Sequence, residues 1–416
     1  MYEYDIAVIG GGPAGMAAAA AAYDGGVRNV VIIDREEKLG GILKQCIHNG
    51  FGLHKLGKEL TGPEYAAVYE KAVAEREIKV FYETMVTDIA ADKTVTARNK
   101  DGILKIKAKA VILAMGCRER SRGALNIPGT RPAGVYSAGT AQKLINCMGY
   151  SVGKRAVILG SGDIGLIMAR RMSLQGAKVE AVCEIMPYSG GLTRNIVQCL
   201  NDFDIPLYLS TTVAEIHGRE RVEGVTIAKV DKNRKIITET MRYIPCDTLL
   251  LSCGLIPENE LTSSAGIALS HATNGALVDE HRQTEREGIF ACGNVLQVHD
   301  LVDFVSDEAE IAGKSAAEYV KGNLRAADTV KTSAGHGVSY VLPQRVSTSP
   351  KEDISLFLRV KQPFGKVKFT VKSGNEVFAS AVRIKAAPGE MEKITVKADR
   401  FKNTGKEITV SLEEIG

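Results

Sequence analysis

With 416 residues, 45% of them hydrophobic and 25% charged, the chain is long enough for two or three domains, each with a core of its own. A formal net charge of +4 is small for that length, and no basic run interleaves with aromatics, so nothing in the composition points to nucleic acid. Eight cysteines without a C-x-x-C pair and seven histidines without an H-E-x-x-H argue against structural zinc, a thioredoxin-like dithiol and cysteine-ligated iron–sulfur clusters, and no bound metal is expected.

The chain runs from Met1 straight into "YDIAVIG", a strand pattern with neither a basic leader region nor a cleavage site. Its longest apolar candidate, "GMAAAAAAY", is too short to span a bilayer, so a cytoplasmic protein without a transmembrane segment is expected. Residues 4 to 34 read strand, glycine turn, helix, strand. Gly10, Gly12 and Gly15 fit G-x-G-x-x-G around Pro13 and Ala14, and Asp34 ends the second strand. Missing side chains let the backbone approach a pyrophosphate at the positive end of the helix, while the acid accepts from a ribose hydroxyl.

The next stretch, "KLGGILKQCIHNG", holds the pair Gly40-Gly41 and then a lone Cys46 with His48 two residues on. Further along, residues 155 to 184 repeat the first unit: Gly160, Gly162 and Gly165 form the loop around Asp163 and Ile164, and Glu184 ends the strand. In both copies the acid lies 24 positions after the first glycine, at 34 after 10 and at 184 after 160. Glu184 would hydrogen-bond a free 2′-hydroxyl and repel a 2′-phosphate, which favours NAD over NADP. Arg194 is near enough in sequence to act as a phosphate partner. An amphipathic helix is expected from Val302 or Asp303. From residue 331 the pattern changes to short alternating runs ("SLFLRVKQP", "KVKFTVKSG", "EVFASAVRI", "EKITVKAD", "KEITVSLEEIG"), which read as a small β-sandwich or barrel. This tail carries the chain's positive excess, as a solvated β surface or as a docking module for an acidic partner.

Two glycine loops in this order resemble the two-dinucleotide-binding flavoproteins, the group of pyridine nucleotide-disulfide oxidoreductases and NADH oxidases. "KAVILAMGCRER" (109–120), "TLLLSCGLIPENEL" (248–261) and "GALVDEHRQTEREGIFACGNV" (275–295) are similar to that family's later segments. The resemblance implies an α/β fold of two Rossmann-like domains, with an NAD domain (119–274) inserted into an FAD domain (1–118 and 275–327), followed by a C-terminal all-β domain (335–416) that it does not cover. It implies FAD on Gly10, Gly12, Pro13, Ala14, Gly15, Asp34, Arg35, Gly41, Ala114, Gly116, Gly293, Asn294 and Val302, and NAD(H) on Gly160, Gly162, Asp163, Ile164, Gly165 and Glu184. Where the family has Gly-Asp this chain has Gly293-Asn294, whose amide can still bond ribityl hydroxyls.

Disulfide reductases of the family need two cysteines, and neither of their dithiol patterns is present. If the Gly-Gly turn lies over the flavin, Cys46 and His48 fall beside the isoalloxazine. Cys46 is then a packed inert thiol, a single redox thiol cycling through sulfenic acid, or a substrate contact together with His48. His48 is either a proton carrier or a structural histidine. Arg118 and Arg120 could contact an acceptor, or serve a domain connection or cofactor phosphate.

"LGGILKQCIHNGFG" and "CRERSRGALNIPGTRPAGVYSAGTAQ" narrow the resemblance to flavoprotein subunits that accompany another dehydrogenase: opine oxidase, dye-linked proline dehydrogenase alpha, hydrogen cyanide synthase, and most nearly the protein associated with anaerobic-type glycerol-3-phosphate dehydrogenase. The resemblance implies an FAD-dependent enzyme that passes hydride between NAD(H) and flavin, then exchanges electrons with a partner dehydrogenase, an electron-transfer subunit or a small acceptor. A homo-oligomer is compatible with it. The competing readings are an assembly or electron-transfer subunit with structural nucleotides, and an NADH oxidase or peroxidase using Cys46.

Overall fold

The computed structural model describes residues 1–324, 328–403 and 405–415. The expected domain ends at 327 and 416 lie outside them. The chain divides into two compact units, one of residues 1–44, 49–117 and 257–416, the other of residues 45–48 and 118–256.

The first unit opens with β1 (Tyr2–Ile9), α1 (Pro13–Asp24) and β2 (Val30–Ile33). Then follow α2 (Gly62–Glu75), β3 (Lys79–Phe81), β4 (Met85–Ile89), β5 (Thr94–Asn99) and the long β6 (Gly102–Leu113). Strand β2 is four buried β-branched residues, as a strand covered on both faces requires. Strands β3, β2, β1 and β6 lie side by side in parallel. The first half of β6 turns away to pair antiparallel with β5. The alanine run of α1 has its own use: its small side chains sink into the core beside the sheet.

The second unit contains β7 (Val135–Ser137), α3 (Ala138–Asn146), β8 (Arg155–Leu159), α4 (Asp163–Leu174), β9 (Lys178–Cys183), α5 (Thr193–Cys199) and β10 (Leu207–Tyr208). It continues with β11 (Thr211–His217), β12 (Gly224–Lys229), β13 (Arg242–Pro245) and β14 (Thr248–Leu251). Its main sheet runs β7-β14-β8-β9-β10, all parallel. Strands β11, β12 and β13 form a separate antiparallel sheet.

The chain rejoins the first unit at Pro257. Residues 257–274, expected with the inserted domain, instead contribute Ala265 and Ile267 to the core beneath β6. Strand β15 (Ile289–Ala291) pairs with the end of β6, and α6 (Val302–Val320) lies against α1. A Cβ added at Gly313 of α6 would come within 2.1 Å of the Ala18 carbonyl oxygen, so these helices touch backbone to backbone.

Among the described residues, eight further strands follow: β16 (Thr329–Ala334), β17 (Val338–Leu342), β18 (Arg345–Ser347), β19 (Ile354–Val360), β20 (Val367–Ser373), β21 (Glu376–Arg383), β22 (Glu392–Val396) and β23 (Glu407–Glu414). They form a five-stranded sheet, β18-β16-β23-β20-β21, and a three-stranded one, β17-β19-β22, around a shared apolar core. All five runs read from the sequence are strands here; β16, β17 and β18 lacked the alternation that would have disclosed them.

Candidate functional site

In the first unit, β1 delivers the chain to Gly10, which has φ +105°. A Cβ there would stand 2.4 Å from the Ala114 carbonyl oxygen, and one on Gly15 would stand 1.7 Å from the Gly10 carbonyl oxygen. These two glycines bring strand and helix together. Gly12 differs: a Cβ there meets nothing within 4 Å. It precedes Pro13 at the start of α1, and no side chain caps that helix, whereas α2 carries a full capping box from Thr61 and α3 a cap from Ser137. Open space above uncapped amides suits a phosphate.

Asp34 is buried and braces the loop, one carboxylate oxygen accepting from Gly11 N at 2.5 Å and the other from Glu36 N at 2.8 Å. Burial raises its pKa, against the pull of those amides. Arg35 is exposed beside it. The loop is closed from behind by Gly41, whose Cβ would meet Gly12 Cα at 3.2 Å, and by the bond from Gly40 N to Gly11 O at 2.9 Å. Ala114 N donates to Ile9 O at 2.9 Å, and Gly116, with φ +75°, accepts from Glu258 N at 3.0 Å.

Gly293 lies against Ala14, its Cβ position 2.7 Å from the Ala14 methyl carbon. Asn294 accepts from His299 N at 3.0 Å and donates to Cys117 Sγ at 3.5 Å. Val302 is the first residue of α6, as the sequence indicates, and that helix too begins without a side-chain cap. The first unit therefore gathers every residue expected on FAD, and its open, uncapped loop fits a dinucleotide.

Behind Gly293 is a group of residues that sequence reading missed. Glu308 is fully buried and accepts from Gly293 N at 3.1 Å, His299 Nε2 at 2.9 Å, Gln297 Nε2 at 2.9 Å and Arg282 Nε at 3.2 Å. Burial alone would raise the Glu308 carboxyl, but the charges of His299 and Arg282 with these hydrogen bonds hold it below the usual carboxylate value. Its only sequence signal was an acid two turns into an amphipathic helix.

The second unit repeats the loop. Gly160 has φ +99° and its Cβ would stand 2.1 Å from the Ser252 carbonyl oxygen, while Gly162, before the uncapped α4, has nothing closer than 3.8 Å. A Cβ on Gly165 would stand 2.7 Å from the Gly160 carbonyl oxygen. Glu184 is buried and mirrors Asp34: it accepts from Ser161 N at 2.9 Å and Ser161 Oγ at 2.7 Å, and from Met186 N at 2.9 Å. Asp163 accepts from Leu192 N at 2.8 Å and Asn195 Nδ2 at 2.6 Å, holding the following loop over α4, and Ile164 packs into the core. An arginine not weighed from sequence lies in this neighbourhood, since Arg234 and Glu184 both act electrostatically on Tyr188.

The stretch "KLGGILKQCIHNG" is parted between the units. Gly41 stays with the first, but residues 45–48 belong to the second. There Gln45 Nε2 donates to Gly139 O at 2.8 Å and Gln142 Oε1 at 3.0 Å, and its carbonyl accepts from Asn146 at 2.9 Å. Cys46 Sγ is 3.7 Å from Gln142 Oε1, and burial, aided by Cys147, pushes its thiol up to about 12. His48 is pushed down by burial and by the charge of Arg194, with Asp163 opposing and Arg170 assisting. Arg194 thus acts on His48 from α5. Arg118 and Arg120 are exposed in the same unit.

A model of the family described as pyridine nucleotide-disulphide oxidoreductase matches residues 4–317. An opine oxidase subunit of Agrobacterium tumefaciens (strain Ach5) is 28% identical over 346 residues, covering 78% of this chain but only 64% of that protein's length. Thioredoxin reductase of Ureaplasma parvum serovar 3 is 26% identical over 330 residues, covering 77% of this chain and 98% of that one. Among solved structures, T. acidophilum thioredoxin reductase superposes with a TM-score of 0.63 at 23% identity, covering 76% of this chain and 99% of that one, a likeness of fold.

Proposed function

The chain belongs to the pyridine nucleotide-disulphide oxidoreductase family, whose members bind FAD and NAD(P)H, and from that premise we propose that it is an FAD-dependent NADH:acceptor oxidoreductase working with a partner protein. The observation that carries this is the doubled loop: two uncapped helix starts, each with an open glycine and each braced by an acid 24 residues after the loop's first glycine.

When bound, FAD and NAD(H) supply hydride exchange between flavin and nicotinamide. The chain supplies position and electrostatics. The amides of α1 hold the FAD pyrophosphate; Asp34 keeps the loop in shape and meets the ribose edge, with Arg35 beside it. Gly293 and Asn294 would hold the ribityl chain, and the start of α6 at Val302 would lend partial positive charge to the flavin. The amides of α4, flanked by Asp163 and Ile164, take the NAD pyrophosphate, and Glu184 favours the free 2′-hydroxyl. Cys46 has a role in packing, because a peroxide-reactive thiol needs a lowered pKa and burial raises this one. His48, lowered by burial and by the charge of Arg194, is a structural residue of the second unit rather than a proton carrier.

The Agrobacterium relative is named as one subunit of its oxidase, which supports a partner for this chain; the finer reading is a subunit that accompanies an anaerobic-type glycerol-3-phosphate dehydrogenase. Anaerobic titration of the purified flavoprotein with NADH and then NADPH, followed by flavin absorbance, tests the proposal. Bleaching by NADH at lower concentration than by NADPH is expected. A yellow protein that neither nucleotide bleaches would overturn it in favour of an assembly role.

A further inference from the structure

The C-terminal sandwich has an inward use that its surface charge does not suggest. Within the first unit, β19 lies against residues 298–300, the segment between Asn294 and the start of α6. Arg359 of β19 donates to the Val298 carbonyl at 2.9 Å and to the Asp300 carboxylate, and its other nitrogen donates to the Pro388 carbonyl at 2.9 Å. The second Asp300 oxygen accepts from Met391 N at 2.6 Å. Arg359 and Asp300 side chains are only 16% and 13% exposed. Two residues earlier on the same strand, Phe357 meets the His299 ring edge-on at 6.5 Å and sits under the Arg282 guanidinium at 5.7 Å.

These contacts fall on the same loop that Glu308 holds. His299 N donates to Asn294, His299 Nε2 bonds Glu308, and Glu308 in turn holds Gly293 N. A displaced residue 298–300 therefore moves the Asn294 amide and the entry to α6 together. A charge-assisted pair with little solvent around it fixes such a segment far better than an exposed one.

We propose that Arg359 is a positioning residue for flavin: the C-terminal sandwich clamps residues 298–300 and thereby sets Asn294 and the N-terminus of α6 against the cofactor. This rests on the reading that Gly293, Asn294 and Val302 hold FAD. The family model ends at residue 317, so Arg359 and the strand that carries it lie outside what the family match describes, while the loop they hold lies within it.

The test compares wild type, Arg359→Met, Arg359→Lys, Asp300→Asn and Phe369→Leu; Phe369, on β20, is fully buried in the sandwich core, and its truncation loosens that core without removing a clamp contact. Two quantities are read on the full chain: the dissociation constant for FAD, by quenching of FAD fluorescence on titration into apoprotein, and the flavin midpoint potential. Loss of a charge-assisted bond predicts about a tenfold or greater weakening of FAD binding in Arg359→Met, a shifted potential, and partial recovery of both in Arg359→Lys. Phe369→Leu should lower the melting temperature with neither quantity changed. If Arg359→Met does not fold, Asp300→Asn and Arg359→Lys carry the comparison, with weakened binding and a shifted potential expected in Asp300→Asn. Wild-type affinity and potential in the folded clamp variants would overturn the clamp, as would equal losses in Phe369→Leu. Failure of the wild-type chain to bind FAD would instead overturn the reading beneath it.

Discussion

Glu308 is the residue on which the first unit's polar interior turns. Replacing it with glutamine leaves the buried Arg282 guanidinium without its counter-ion, and breaking one side of a buried pair costs roughly 3–5 kcal/mol. Glu308→Gln should therefore lower the denaturation midpoint markedly. The carboxyl is held below its ordinary value of 4.5, so the stability it contributes is present above that pH and is lost as pH falls through the lowered folded value. Wild-type melting temperature should drop on acidification in that window, and the variant's should drop less; parallel profiles would show that the pair contributes nothing to acid stability. None of this was legible in the sequence. Arg282 stands in "DEHRQTEREG", which reads as a solvated surface, and contacts far along the chain, Glu308 of α6 and Phe357 of β19, go with its burial.

At the scale of elements, the glycines divide into two kinds, and mutation should separate them. Gly15→Ala places a methyl against the Gly10 carbonyl, where strand and helix meet, so the apoprotein itself should be destabilised, read as a lower melting temperature. Gly12→Ala puts the same methyl into open space over α1. The apoprotein should melt as wild type does, while FAD affinity falls by about tenfold or more, the loss of one or two well-made charged hydrogen bonds; unchanged affinity on titration would remove Gly12 from the cradle. The loop-and-acid units could be read from sequence because their geometry is local: a turn of fixed length, a helix, and an acid at a fixed distance. The position of Cys46 and His48 could not, because whether a chain leaving a Gly-Gly turn stays with one unit or crosses to the other is settled by distant residues, here Gly139, Gln142 and Asn146. Likewise the five alternating strands of the tail announced themselves, while β18, three residues long, carries too little pattern to be seen.

Across the whole molecule, the two loops lie in different compact units, so each ligand should act on its own part. Calorimetry of the apoprotein should resolve FAD raising the transition of the unit that holds Gly12, and NAD(H) that of the unit that holds Gly162. A hundredfold excess over the dissociation constant adds about 2.7 kcal/mol to the unit that binds it. A single transition that moves equally with either ligand would contradict this. An uncapped helix start has one more meaning in the cell. On the proposed reading each dinucleotide would complete its own helix start, so limited proteolysis of the apoprotein should be slowed in one unit by FAD and in the other by NAD(H). The lifetime of the chain would then follow two supplies, flavin and pyridine nucleotide, each felt at its own helix end.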